Sequence, residues 1–162
     1  MTDPVEQAVD ALSGQNTVRG VLETACREIT ETLDASACLV SRVVGDLLVS
    51  LVEFSRAERG PGIGHEYLIS DYPLTHEVIE RGEPRVVSLL DDAPEPTEAE
   101  LLEKLGFESL LMVCLPTSKA CWGLLELYNE QGAFDAEQAE LAARYAVRIG
   151  ELLERLEPPA RA

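Results

Sequence analysis

Residues 106–128 read GFESLLMVCLPTSKACWGLLELY, and the two apolar runs inside this stretch decide the fold. Ser109 to Leu115 and Cys121 to Tyr128 are apolar enough to be central strands with both faces covered, and the turn Pro116-Thr117-Ser118-Lys119 makes them a hairpin. With Leu115 paired to Ala120, Cys114 falls opposite Cys121, at a Cα separation of about 4.5 to 5.5 Å that a disulfide accepts. Cytosolic thiols are ordinarily reduced, so the pair is expected as two small buried side chains, with a thiol redox switch as the alternative. Glu126, set among Leu124, Leu125, Leu127 and Tyr128, is the most informative single charge. A buried carboxylate needs a partner or a raised pKa; Arg42, Arg85, a ligand group, or a tyrosine or backbone hydrogen bond would each serve.

Working outward, Thr97 followed by Glu100 has the pattern of a capping box opening a helix through Leu105, which Gly106 closes. Asp91 to Pro96 is an acidic, proline-broken loop, preceded by a brief strand from Arg85 to Leu89. Leu74, Val78 and Ile79 mark a short helix ended by Gly82, and Tyr67 to Ile69 a short strand. Ser55 to His65, with Arg56, Arg59, Gly60, Pro61, Gly62 and Gly64, reads as a mobile loop beside a site. Ser36 to Val44 and Leu47 to Phe54 form a second hairpin around Gly45-Asp46. Val18, Val21, Leu22, Ala25, Cys26, Ile29 and Leu33 trace one helical stripe. Val5, Val9 and Leu12 begin a similar stripe that breaks at Ser13-Gly14-Gln15-Asn16. At the other end Phe134-Asp135 starts a helix whose Ala142, Tyr145, Ile149, Leu152 and Leu156 face one way, and Pro158-Pro159 ends it. The order of elements is an α+β plan on a mostly antiparallel sheet.

At 162 residues and 46% hydrophobic, the chain has the size of one domain. Its net charge of −17 makes nucleic acid and anionic membranes poor partners. The N-terminal residues lack a basic segment followed by an apolar one, and the longest apolar run, Leu110 to Leu115, is six residues, so no signal peptide or membrane span is expected. Four cysteines without a CxxC spacing suit neither a disulfide scaffold nor a zinc site. The expectation is a cytoplasmic protein.

Four strings in order resemble the GAF domain family of small-molecule sensors: Leu33-Asp34-Ala35-Ser36, Arg81-Gly82-Glu83-Pro84-Arg85-Val86-Val87, Gly106-Phe107-Glu108-Ser109-Leu110-Leu111 with Pro116, and Trp122-Gly123-Leu124-Leu125-Glu126-Leu127-Tyr128 before Phe134. The resemblance runs from about Thr17 to Leu156, dividing the chain into a helical extension (1–16), a sensor domain (17–157) and a tail (158–162). It implies a six-stranded antiparallel sheet, with the first and last helices on one face and a pocket on the other, roofed by segments between Ser55 and Leu105. It also implies a non-catalytic regulator, a homodimer through the terminal helices, and a signal passed by dimer geometry or to a separate output protein.

Asp71-Tyr72-Pro73 resembles the Asp-Ile-Pro string of phytochrome-type members, but no cysteine here is followed by His, which argues against their covalent bilin attachment. Of the pattern in cyclic-nucleotide-binding members, Asn129 and Phe134 fit, while Glu130 replaces the expected Lys and no Asp-Glu pair follows. The cysteine strings of members that reduce free methionine sulfoxide are absent, so no catalytic residue is assigned. The candidate ligand-binding residues are Phe54, Arg56, Tyr67, Asp71, Tyr72, His76 and Glu126, with Trp122 a further possible lining residue and Cys114 and Cys121 the redox candidates. His65 and His76, the two histidines, have acids nearby, but imidazoles and acids scattered in loops do not make a metal site, and none is expected. The residues identify neither a cofactor nor the small-molecule ligand.

Overall fold

In the computed structural model, residues 3–62 and 66–157 are described. The Asp3 side chain accepts from the Val5 amide and Pro4 opens helix α1 (Pro4–Asp10). Thr17 caps helix α2 (Val18–Thr32) through the Gly20 amide at 3.0 Å. The two are therefore separate helices, broken where Ser13 to Asn16 interrupt the apolar stripe. Strands β1 (Ala37–Val44) and β2 (Leu47–Ser55) form the expected hairpin, and β3 (Glu66–Leu68) follows. A 3-10 turn (Ile69–Asp71) leads into helix α3 (Pro73–Arg81), then β4 (Arg85–Ser88). Helix α4 (Pro96–Leu105), strands β5 (Ser109–Pro116) and β6 (Cys121–Asn129), and helix α5 (Ala136–Leu156) complete the chain.

The sheet has six strands in the order β3-β2-β1-β6-β5-β4, every neighbouring pair antiparallel. On one face α1, α2 and α5 bury Leu22, Ile29, Leu125, Leu127, Tyr145 and Ile149. On the other, α3 and α4 cover Leu39, Met112, Leu124 and Tyr128. The continuous apolar runs of β5 and β6 are explained by this, since alternate residues feed opposite cores. The N-terminal extension belongs to the first core: Val5 and Ala8 are 2% exposed and Leu12 is fully buried. Its acids Asp3 and Glu6 pair with Arg144 and Arg148 on α5.

Three local expectations are corrected. The cap of α4 is Glu95, whose side chain accepts from the Glu98 amide at 2.7 Å, and Thr97 lies inside the helix. Pro96 is the reason: with no N–H and a fixed φ it is preorganised for the first helical position, which moves the cap one residue before it. In the β5–β6 hairpin Cys114 is opposite Leu124, not Cys121; Leu115 pairs with Gly123 and Pro116 with Cys121, leaving Trp122 as an extra, bulged residue. Proline has no N–H for the ladder, so regular pairing fails at that step. Cys114 and Cys121 nevertheless form a disulfide, with Cα atoms 5.9 Å apart, in place of the expected reduced pair.

Candidate functional site

Between the sheet and the α3–α4 layer lies a cavity of about 20 Å³. Leu39, Leu48, Glu126 and Tyr128 form its floor, Pro61, Tyr67, Ile69 and Tyr72 one wall, and Thr75, Glu98, Leu101 and Leu105 its roof. That volume admits about one water molecule.

Glu126 reaches the cavity because β6 alternates: Leu124, Glu126 and Tyr128 point toward α3 and α4, while Leu125 and Leu127 point to the helix layer behind. It is 8% exposed, and the Tyr128 hydroxyl donates to its Oε2 at 3.1 Å. Burial, and secondarily the nearby Glu98 carboxylate, push its pKa up to about 7, the tyrosine hydrogen bond opposing them. Arg42 and Arg85, the alternative partners, are committed to Glu157 and Glu77.

Glu98 approaches from α4 and is 2% exposed. Its Oε1 accepts the Thr75 amide at 3.0 Å and the Thr75 hydroxyl at 2.7 Å. Because α3 begins at Pro73, that amide is one of the first-turn donors with no partner inside its own helix, and an anion is favoured there. Burial still raises the Glu98 pKa, against the two hydrogen bonds from Thr75. Tyr67 and Tyr72 meet edge to face at 5.7 Å, and burial raises both hydroxyl pKa values. The lining thus carries two carboxylates and three tyrosines, with no Lys, Arg or His among the described residues.

Of the residues expected at the site, Tyr67, Tyr72 and Glu126 meet here. Phe54 packs on the helix-layer side of the sheet instead, and Arg56 pairs with Asp34 and donates to the Ala35 carbonyl at the start of β1. Asp71 is exposed at the end of the 3-10 turn, and exposed His76 faces Glu80 at 3.5 Å on its own helix. His65 lies outside the described residues. Glu98 and Thr75 were not anticipated: in sequence Glu98 is one acid in a helix rich in them, and only its packing against α3 distinguishes it. Among the described residues no group of three or more His, Cys, Asp and Glu could hold a metal ion.

Trp122 lines a different, open cleft of about 520 Å³ at the β5–β6 turn, with Arg42, Lys119, Cys121, Glu154 and Glu157. The Arg42 guanidinium lies 4.8 Å from the centre of the indole ring. Glu157 accepts from the indole N–H at 3.1 Å and from Arg42 at 3.0 Å.

The order of strands and the helix layer are those of the GAF fold. The GAF domain profile matches residues 17–153, and the chain belongs to this family. Comparison with curated proteins finds no match. Among solved structures, the far-red-absorbing dark state of a protein with bound biliverdin IXα is similar with a TM-score of 0.81 at 14% identity, over 95% of this chain and 99% of that one. The chromophore-binding domain of a Stigmatella aurantiaca bacteriophytochrome gives 0.79 at 16% identity, over 93% and 59%. That of an unusual bacteriophytochrome from R. palustris gives 0.81 at 13%, over 94% and 61%, so the chain spans about three-fifths of these two relatives. At these identities the likeness is one of fold. No free thiol lines the cavity here: Cys26 and Cys38 are buried in the helix-side core, and the other two are bonded to each other. No helix among the described residues is long and apolar enough to cross a membrane.

Proposed function

We propose that this GAF domain is a non-catalytic regulatory sensor whose cavity takes a small organic ligand that offers hydrogen-bond donors or a positive charge to Glu126 and Glu98. The observation carrying this reading is the pair of buried carboxylates on one cavity, with no basic side chain among the described residues that line it. Desolvated acids without a counter-charge disfavour an anionic ligand and favour a protonated amine, an amidine or an N–H-rich heterocycle, for which Tyr67 and Tyr72 add aromatic surface. A volume of about 20 Å³ requires the roof to open before such a ligand enters. Movement of α3 and α4 is the conformational signal in this reading, passed to a second copy through the terminal helices α2 and α5 and on to a separate output protein.

The test is a native mass and an absorption spectrum of the purified protein, followed by thermal melts with guanidinium, benzamidine and adenine against benzoate and phosphate. Stabilisation by the donor-bearing compounds, lost in Glu126→Gln, is the expected result. The small cavity favours a second reading, a protein-interaction module whose pocket is filled by its own side chains. An apo mass with flat melts for every compound supports that alternative and overturns the ligand. A mass corresponding to one 17.7 kDa chain overturns the dimer.

A further inference from the structure

The β5–β6 turn carries a second device, remote from the cavity. We propose that Cys114 and Cys121 form a reversible cystine whose redox state sets the C-terminal end of α5. The bulge is what brings the sulfurs together. In regular pairing the residue opposite Pro116 would be Trp122; the extra residue puts Cys121 there, on the face of the sheet shared with Cys114. The same extra residue turns Trp122 to the opposite face, into the core beneath the helix layer. One local irregularity thus fixes both the disulfide and the indole.

The indole is fastened to α5. Its N–H donates to Glu157, the cap that follows the last residue of α5, and the Arg42 guanidinium lies over the ring while pairing with the same carboxylate. Inside the loop closed by the disulfide, the Ser118 hydroxyl donates to Glu154 of α5 at 2.8 Å, and the Ser118 amide donates to the other oxygen of that carboxylate. The disulfide closes a sequence separation of seven, so it restrains a short segment that holds Ser118 and ends at the residue before Trp122, the two points of attachment. Reduction releases that restraint, and α5 loses ordered partners at Glu154 and Glu157.

Access selects this pair. Cys121 is partly exposed and lines the open cleft, whereas Cys26 and Cys38 are fully buried. A peroxide supplies the oxidation: one thiolate attacks the peroxide oxygen and becomes a sulfenic acid as the other oxygen leaves as water. The second thiol then forms the S–S bond and expels a second water, so two thiols and hydrogen peroxide give the disulfide and two waters. A dithiol returns the pair by exchange, emerging as its own disulfide.

The full chain is compared after hydrogen peroxide and after dithiothreitol by denatured thiol titration, tryptophan emission and hydrogen exchange over 150–157. Two thiols are expected in the oxidised form and four in the reduced. Reduction is expected to red-shift the emission of Trp122, the single tryptophan, and to raise exchange over 150–157 several-fold. Cys114→Ser and Cys121→Ser should behave as the reduced form even after peroxide; Glu157→Gln should raise that exchange while the disulfide still forms. If either serine variant fails to fold, the wild-type comparison alone decides. Four thiols after peroxide, or a disulfide that leaves emission and exchange unchanged, overturns the proposal.

Discussion

A single oxygen of Glu98, on α4, accepts both the amide and the hydroxyl of Thr75, at 3.0 and 2.7 Å, near the start of α3. Two short helices, distant in sequence, are thereby joined into one roof. Glu98→Ala leaves the buried Thr75 amide unsatisfied and the Thr75 hydroxyl with only the Met112 sulfur at 3.4 Å, and should cost about 1–3 kcal/mol in urea unfolding, with Glu98→Gln, which keeps an acceptor, losing less. Equal stability of Glu98→Ala and wild type would show that the bond does not hold the roof.

The acidity of Glu126 gives stability a particular pH dependence. Its pKa rises from 4.5 to about 7 on folding, so between these values the folded state holds a proton that the unfolded chain has lost. Its contribution to stability is fully present below pH 4.5 and is lost as pH rises toward 7, by at most about 1.4 kcal/mol per pH unit. Urea midpoints from pH 5 to 8 should fall less steeply for Glu126→Gln than for wild type. Identical slopes would remove Glu126 as their source.

Gly150 of α5 passes so close to the Pro116 carbonyl that a Cβ has no room against that backbone oxygen. Helix propensity alone would favour alanine by roughly 0.5–1 kcal/mol. Overpacking, typically about 1–3 kcal/mol, wins here because backbone cannot move aside as a side chain can. Gly150→Ala should therefore melt below wild type, and a higher melting temperature would contradict the close approach.

Leu12 is fully buried although it precedes the 17–153 region matched by the family profile. Leu12→Ala should destabilise the whole domain by about 2–5 kcal/mol in one cooperative transition. A loss under 0.5 kcal/mol, within the range of surface substitutions, would instead make α1 a dispensable appendage.

Much of the architecture was legible in the sequence because its signals are local. The stripe from Val18 to Ile29 needs only the 3.6-residue period to declare a buried helix face, and Gly45-Asp46 between two β-type runs needs only turn chemistry to declare a hairpin. A charge at Glu126 inside an apolar strand announces the need for a buried partner by the cost of its burial alone, and the Tyr128 hydroxyl supplies one. Phe54 shows where such reasoning stops: an aromatic on a strand adjoining the site is assigned to the cavity or to the opposite core by strand parity, and nothing in the residue itself reveals that parity.

The sequence by itself determined the mostly antiparallel α+β plan, the apolar stripes of the terminal helices and the placing of a charge, Glu126, inside an apolar strand, since each follows from periodicity, spacing or the chemistry of one residue, and its ordered strings carried the resemblance to the GAF family. Only the tertiary structure decided that Glu98 meets Thr75, that the cavity is nearly filled, and that a bulge at Trp122 brings Cys121 to the face of Cys114. These depend on how closely segments far apart in the chain approach one another. Such distances come from the packing of the whole core, where a one-residue slip in register redirects every side chain beyond it.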